Sequence, residues 1–355
     1  MKVLHIIDSL APGGAERIAV NFSNALAEKG IETHLCVQRN DGPLKEFINP
    51  NVSVFYLNKT LTLGINAIYR LRKYIKNNKI NIVHAHSSSF FIATLAVLFT
   101  SKKLIWHDHY GNSENLNARK HSVLSFFSKR FNFVFSVNNS LKNWAIKTLH
   151  VNSSQVIYLP NFAELKGENI LGDEFKNNSF KIVCLANLRP QKNHLLLLSS
   201  VCKLKFDYKL YLVGQYCSDE YYQKIIDFIQ ENNLTEKVHI LGQRNDIKSI
   251  LEQCDAGVLS SESEGLPVSL LEYGLAKLPV VCTNVGECPA VLGNGKFGLL
   301  VDKNDINGMS EALTKIYSDK TFAQKTALDF HENIMKNYSK NAIINQVIKI
   351  YREIQ

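Results

Sequence analysis

Apolar residues fall along this chain in short continuous runs separated by longer amphipathic stretches. In the first half the runs are KVLHIIDS, THLCVQ, VSVFYL, NIVHAH, KLIWHDH and FVFSVN, compact and rich in β-branched and aromatic side chains, and they predict strands. Between most of them the apolar spacing becomes helical. After the loop LAPGG, Ile18, Phe22, Ala25 and Leu26 share one stripe of a helix that closes at Gly30. Continuous apolar strands alternating with helices imply a parallel sheet covered on both faces. The pattern lapses over residues 163–179, which are polar, turn-rich and without period, and predict a linker. A second alternation follows, with runs KIVCLA, YKLYLVG, KVHILG, AGVLSS, LPVVCT and FGLLV, and the C-terminal stretch is helical. The expected class is α/β: two doubly wound parallel sheets, residues 1–162 and 180–338, facing across a cleft lined by the carboxyl ends of their strands.

Size fits this division, since 355 residues make about two domains of ordinary length. The apolar run from Phe90 to Phe99 has ten residues, half of a membrane span, and predicts a buried helix. VLHII near the start is too short for a signal peptide and ends at Asp8. Seven cysteines without a C-x-x-C pair read as reduced thiols, so the expectation is a cytoplasmic protein.

Charge divides unevenly. Residues 1–160 hold 19 Lys and Arg against 8 Asp and Glu, a net +11, whereas residues 161–355 hold 22 against 24, a net −2. An anionic partner for the first half is implied: nucleic acid, a membrane surface or a phosphorylated substrate. Two segments carry the basic character, NAIYRLRKYIKNNK with Ile68, Leu71 and Ile75 on its apolar stripe, and VLSFFSKRF. They read either as ordinary packed helices or as a face resting on an anionic inner leaflet, with the protein peripheral on the cell membrane. A nucleic-acid-binding protein is disfavoured because aromatics are not interleaved with cations on an exposed face and no recognition motif is present.

The densest chemistry lies in SESEGLPVSLLEYG. Pro267 suits the first position of a helix over residues 267–277, and Gly265 lets backbone approach a ligand closely. The helix start, with Leu266 and Val268 beside it, offers N–H groups and a partial positive charge to a phosphate. Glu264 precedes that end and Glu272 lies about 7.5 Å along the axis, a ruler that fits a nucleotide-sugar: pyrophosphate on the helix end, ribose at Glu272, sugar at Glu264. LRPQKNH places Arg189 and Lys192 at a strand end, where a guanidinium and an ammonium would stabilise a leaving diphosphate; two surface cations are the plainer alternative. Gly13 and Gly14 in APGGAER would bring amides to a phosphate or sugar, but the motif is neither G-x-x-x-x-G-K nor G-x-G-x-x-G. The pairs His84/His86 and His107/His109 each lie on one strand face at zinc-ligand spacing, yet no closely spaced Cys or Glu completes a site. His109, followed by Tyr110 and Gly111, is the histidine best placed to reach a cleft.

In their order these motifs resemble the retaining GT-B glycosyltransferases that carry an E-x(7)-E motif, the bacterial glycosyl transferases group 1 type. GGAER follows the first strand, a His follows KLIWHD, Pro160-Asn161 closes the first domain, R-x-x-K opens the second, and LVG, LGQRNDI and EGLPVSLLE follow. The resemblance implies two Rossmann-like domains, with residues 339–355 forming a helix that crosses back to the first. It implies an acceptor domain followed by a nucleotide-sugar domain, with Glu264 facing the sugar hydroxyls and Glu272 the ribose. Arg189, Lys192, Gly14, Leu266 and Val268 would hold the diphosphate, His109 would contact the sugar, and the backbone at Arg244 would meet the base. Two departures stand out: Lys277 where the family's helix usually ends in Gly, and Gly274 inside that helix, which suggests irregularity in its second half. No D-x-D motif is present, so a reaction without metal or other cofactor is expected. The expected donor is a UDP-sugar and the expected acceptor a glycan, carried on a polyprenyl diphosphate. A UDP-sugar 2-epimerase on a similar fold is the alternative enzyme.

Overall fold

The computed structural model describes residues 1–11, 13–60, 64–110, 116–165, 175–216 and 220–355. The chain divides into two units, residues 1–161 with 340–355, and residues 162–339.

In the first unit seven strands pair in parallel throughout: β1 (Lys2–Ile7), β2 (Glu32–Val37), β3 (Val52–Tyr56), β4 (Ile82–His86), β5 (Lys103–Asp108), β6 (Phe133–Ser136) and β7 (Val156–Tyr158). Their order is β3-β2-β1-β4-β5-β6-β7, so the winding reverses between β1 and β4. Burial on both faces explains the continuous apolar runs. β7 is the strand absent from the sequence pattern: VIY is too short to separate from its loop. Helix Gly14–Glu28 packs on the sheet through Ala19, Phe22, Ala25 and Leu26 and ends with Gly30 at φ +75°. The run at residues 90–99 forms the helix Phe90–Val97, and its core-facing Ile92, Ala93 and Ala96 are buried. No helix among the described residues is long and apolar enough to cross a membrane. Helix Lys340–Ile354 belongs to this first unit, where Lys340 pairs with Glu28 and Tyr351 is fully buried.

The second unit has six parallel strands, β8 (Phe180–Leu185), β9 (Tyr208–Val213), β10 (Val238–Gly242), β11 (Ala256–Leu259), β12 (Val280–Thr283) and β13 (Leu299–Val301). The order β10-β9-β8-β11-β12-β13 reverses the winding between β8 and β11. Of the expected linker, residues 166–174 lie outside those described. Its described ends belong to the second unit's core: Ala163 bridges to Ser339, and Phe175 is buried against Tyr211.

The glutamate-bearing helix spans Val268–Leu275, with Pro267 as its cap at ψ 116° instead of its first helical residue. A proline at this position keeps extended backbone before the turn begins. The irregularity expected at Gly274 is absent, and the helix runs through it. Gly274 serves packing: a Cβ there would lie 2.4 Å from Ile334 and 3.1 Å from Phe330, both on helix Lys320–Asn337. Lys277 has φ +58°, the left-handed conformation that usually favours glycine, and its N–H closes the helix onto Gly274.

Tyr273 of the same helix reaches the reversal point of the sheet. Its buried hydroxyl accepts from Leu185 N–H at 2.7 Å and donates toward the Val183 and Val258 carbonyls at 3.3 and 3.2 Å. Gly257 makes room for the ring, since a Cβ there would lie 2.7 Å from it. Tyr273→Phe leaves the buried Leu185 N–H without this partner, and the expected loss is about 1–3 kcal/mol in the second unit. Urea unfolding of the variant checks it, and a midpoint equal to the parent's would remove the hydroxyl from the account.

Candidate active site

In the second unit, β8 and β11 are neighbours, and their following loops carry residues 72 positions apart into contact. After β8 the chain turns through the short helix Pro190–Lys192 to Asn193, whose φ of +47° and side-chain bond from Leu196 N–H start helix His194–Val201. After β11 come Ser260 and Ser261. The Lys192 ammonium donates to Glu264 Oε1 at 2.6 Å, and the Ser261 hydroxyl donates to the same oxygen at 2.6 Å. Glu264 is buried, with 7% of its side chain exposed, so this charge is held in a shielded setting.

The loops are stitched together by backbone. Ser260 Oγ donates to the Lys192 carbonyl at 2.9 Å, Gln191 Nε2 to Ser263 O at 2.9 Å, and Glu262 N–H to Gln191 O at 2.9 Å. The turn after β12 supports them from behind: Thr283 Oγ1 donates to Ser261 O at 2.7 Å, and Glu287 N–H to Gly265 O at 3.0 Å. Gly286, at φ +54°, lies so close to Glu264 that a Cβ would fall 1.8 Å from the glutamate carbonyl.

Four predicted residues thus converge in one loop system: Arg189, Lys192, Glu264 and Gly265. Arg189 is exposed, immediately before the short helix. Leu266, Pro267 and Val268 lead into the eight-residue helix, whose first N–H groups have no carbonyl one turn earlier to accept them. Glu272 is half-buried on that helix. Arg244 holds Asp246 by two bonds, 2.8 Å from Nε and 2.6 Å from NH2, and this pairing keeps the Asp246 carboxyl below its usual range. Asp246 stands at the N-terminal cap position of helix Ile247–Glu252, with no side-chain cap bond to that helix. The side chain of Arg244 is therefore engaged with Asp246.

Gly13, Gly14 and His109 lie in the first unit. Gly13 caps helix Gly14–Glu28 with extended backbone, and an added Cβ would meet only the flexible end of Glu16. Around Gly14 an added Cβ would meet nothing within 4 Å. The strand register sets His5 opposite His84 and His86 opposite His107, so five histidines including His109 gather on one sheet face. They form two hydrogen-bonded rows. His5 Nδ1 meets His86 Nε2 at 2.9 Å, and His86 Nδ1 meets His109 Nε2 at 3.0 Å. Tyr351 OH meets His84 Nδ1 at 2.5 Å, and His84 Nε2 meets His107 Nδ1 at 3.2 Å. Burial keeps all five neutral, lowering His5 and His109 to about 3 and the others well below their ordinary value. His109 also borders a cavity of about 1130 Å³ lined by Trp106, Tyr110, Arg119 and His121. Beside it, Arg119 grips the buried Asp108 at 2.7 and 2.9 Å under the rings of Tyr110 and Trp144. Burial pushes the Asp108 carboxyl up, against the pull of Arg119. Gly111 lies outside the described residues.

Sequence reasoning missed His5, Ser261, Gln191 and Gly286. Ser261 stood three residues before Glu264 in the quoted motif, and His5 stood within the first strand. Neither announces its partner without strand order.

The chain's similarities to known proteins agree with this organisation. Residues 12–166 match the model of Glycosyltransferase Family 4, and residues 168–337 that of Glycosyl transferases group 1. A relative in Escherichia coli, UDP-Gal:alpha-D-GlcNAc-diphosphoundecaprenol alpha-1,3-galactosyltransferase, is 27% identical, covering 97% of this chain and 92% of its own length. A Campylobacter jejuni relative, N-acetylgalactosamine-N,N'-diacetylbacillosaminyl-diphospho-undecaprenol 4-alpha-N-acetylgalactosaminyltransferase, is 25% identical over 88% of this chain and 89% of its own. The solved structure of Anabaena HepE in complex with UDP superposes with a TM-score of 0.81 at 18% identity, covering 99% of this chain and 100% of that one. That likeness bears on the GT-B fold.

Gly265 and Gly286 separate fold from function. Around Gly265 an added Cβ meets nothing within 4 Å and its φ is not positive, so Gly265→Ala should leave thermal stability within about 0.5 kcal/mol of the parent. Gly286→Ala should cost about 2 kcal/mol or more through its left-handed backbone and the Glu264 carbonyl. Thermal unfolding of both variants checks the pair, and equal midpoints would contradict the loop geometry.

Proposed function

This chain is a glycosyltransferase of the group 1 type, and from that premise we propose that it moves a hexose or N-acetylhexosamine from a UDP-sugar to a lipid-linked glycan, with retention at the transferred carbon. The observation that carries the reading is the Lys192–Glu264–Ser261 cluster at the ends of β8 and β11, directly before the helix Val268–Leu275. The named acceptors of the two curated relatives, both diphospho-undecaprenol-linked saccharides, support the acceptor class. The UDP in the Anabaena structure supports the donor.

Glu264 accepts hydrogen bonds from the sugar hydroxyls beside the reacting carbon. Arg189 and Lys192 meet the diphosphate, together with the amides at Leu266 and Val268 and near Gly13 and Gly14. These donors are worth most as negative charge grows on the departing phosphate. Glu272 binds the ribose, the backbone at Arg244 borders the base, and His109 contacts the sugar. The acceptor hydroxyl attacks from the face the nucleotide leaves, and its proton passes to the departing phosphate oxygen. Side-chain cations and a helix end suffice for the leaving group, so the transfer needs no metal. Glu264→Gln should lower kcat a hundredfold or more, about 3 kcal/mol of transition-state stabilisation. Glu272→Ala should act chiefly on donor KM. Nucleotide release across UDP-, GDP- and ADP-sugars reads both, and unchanged turnover of Glu264→Gln would refute its role.

The first unit supplies a membrane face. Helices Ile65–Asn77, Phe90–Val97 and Ser122–Ser128 pack side by side and expose Ile65 (80%), Phe99 (92%) and Phe126 (69%) among cations. Arg72 and Arg130 are spent on the carbonyls of Leu98, Thr100 and Lys102, whereas Lys73, Lys76 and Lys129 are among the exposed cations open to lipid headgroups. A peripheral enzyme on the inner leaflet would take its acceptor from the membrane and its donor from the cytosol, each cation adding about 1 kcal/mol. Binding to phosphatidylserine vesicles should weaken steeply between about 50 and 500 mM salt. Reversal of Lys73, Lys76 and Lys129 to Glu, with Phe126→Ser, should abolish it while donor affinity stays unchanged. Vesicle binding that survives in this variant would end the membrane reading.

A further inference from the structure

We propose that His86, His107 and His109 form a binding site for one zinc-type transition-metal ion. The sequence offered only two pairs and no completing ligand. The parallel register of β4 and β5 supplies it by setting His86 opposite His107, with His109 two residues further on the same face. One nitrogen of each residue lies within 4.8 Å of the others. His86 Nδ1 and His109 Nε2 are 3.0 Å apart, close to the roughly 3.3 Å that separates two imidazole nitrogens on a tetrahedral zinc.

The surrounding hydrogen bonds favour ligation. Each neutral imidazole carries one N–H and one lone pair. When His86 Nε2–H donates to His5 Nδ1, His86 Nδ1 is left with its lone pair facing His109. When His107 Nδ1–H donates to His84 Nε2, and His84 Nδ1–H to Tyr351, His107 Nε2 is left with a lone pair and no protein partner. His109 needs only the tautomer that carries its proton on Nδ1. His5, His84 and Tyr351 then act as the outer groups that fix ligand tautomer and orientation. Without an ion the same rows leave nitrogens of His5, His107 and His109 buried and unpartnered, a cost that ligation relieves at His107. His86 and His107 are wholly buried, while His109 is half-buried and borders the cavity, the side of the cluster nearest open space. An all-imidazole set suits zinc, cobalt, nickel or copper better than magnesium or calcium.

The test uses the full chain prepared without a polyhistidine tag, stripped by chelator and titrated with cobalt(II). One cobalt per chain with the visible bands of a four-coordinate nitrogen site is expected, and zinc should displace it. His107→Phe, an aromatic replacement for a ring packed edge-on against Phe22 and Phe135, should abolish the bands. His84→Phe should weaken binding by about 10–100-fold while leaving all three ligands. Absence of the bands in the parent, or bands unchanged in His107→Phe, would overturn the site. If that variant fails to fold, X-ray absorption of the zinc-loaded parent decides: a shell of three imidazoles is expected, and a shell of oxygens would overturn it. The readout is the metal itself, so it stands apart from the role of His109 toward the donor. Stripped protein should keep its transferase turnover if the metal-free reading of transfer is right.

Discussion

The second unit depends on how one helix is fixed to the point where its sheet reverses. Tyr273 bonds to backbone of both β8 and β11, the two strands between which the winding changes direction. At such a point the following loops diverge to opposite faces and leave a crevice at the strand ends. The Tyr273 hydroxyl locks the helix Val268–Leu275 against that crevice, and so fixes where the helix N-terminus and Glu272 lie. Gly257 and Gly274 are the concessions this geometry demands, one to admit the Tyr273 ring and the other to let Phe330 and Ile334 approach.

Given that clamp, the electrostatics of the two units differ. In the second unit, opposite charges meet at strand ends, as Lys192 with Glu264 and Arg244 with Asp246. A carboxylate held by an ammonium and a hydroxyl is pre-organised, its orientation set by the protein alone. The first unit has such a pair too, Asp108 with Arg119 at the end of β5, but its central strands also carry a block of imidazoles that burial keeps neutral. The unit holding residues 1–160, whose net charge is +11, therefore has an uncharged histidine block on its central strands. Charge counted along the sequence measured its surface and said nothing of its interior.

Much of the fold was legible because parallel strands buried on both faces leave unbroken apolar runs. Twelve of the thirteen strands coincide with such runs, and only the three-residue β7 does not. The E-x(7)-E spacing and R-x-x-K were legible for a different reason: both are local, R-x-x-K within one short turn and E-x(7)-E from a loop into the helix that follows it. What the sequence hid was non-local. Ser261 is near Glu264 in sequence, yet its bond depends on the support of Thr283 behind it. His5 is 81 residues from His86 and meets it only because β1 and β4 are neighbours across the reversal point. Lys277 departed from the expected glycine, but the backbone adopted the left-handed turn regardless. A lysine there accepts a strain of about 1 kcal/mol that the packed helix behind it outweighs.

The glycines carry the argument one step further. Where the fold needs a glycine, the need is visible as a collision or a positive φ: Gly257 meets Tyr273, Gly274 meets Ile334, and Gly286 meets the carbonyl of Glu264. Gly14 and Gly265 show neither, since a Cβ at either would stand in open space. Glycine costs a helix start or a loop backbone entropy that alanine would not. At Gly14, the first residue of a helix, and at Gly265, beside the buried glutamate, no collision or positive φ among the described residues calls for glycine. Open space at these two backbone positions is the observation on which their proposed roles toward a phosphate rest, each within its own unit.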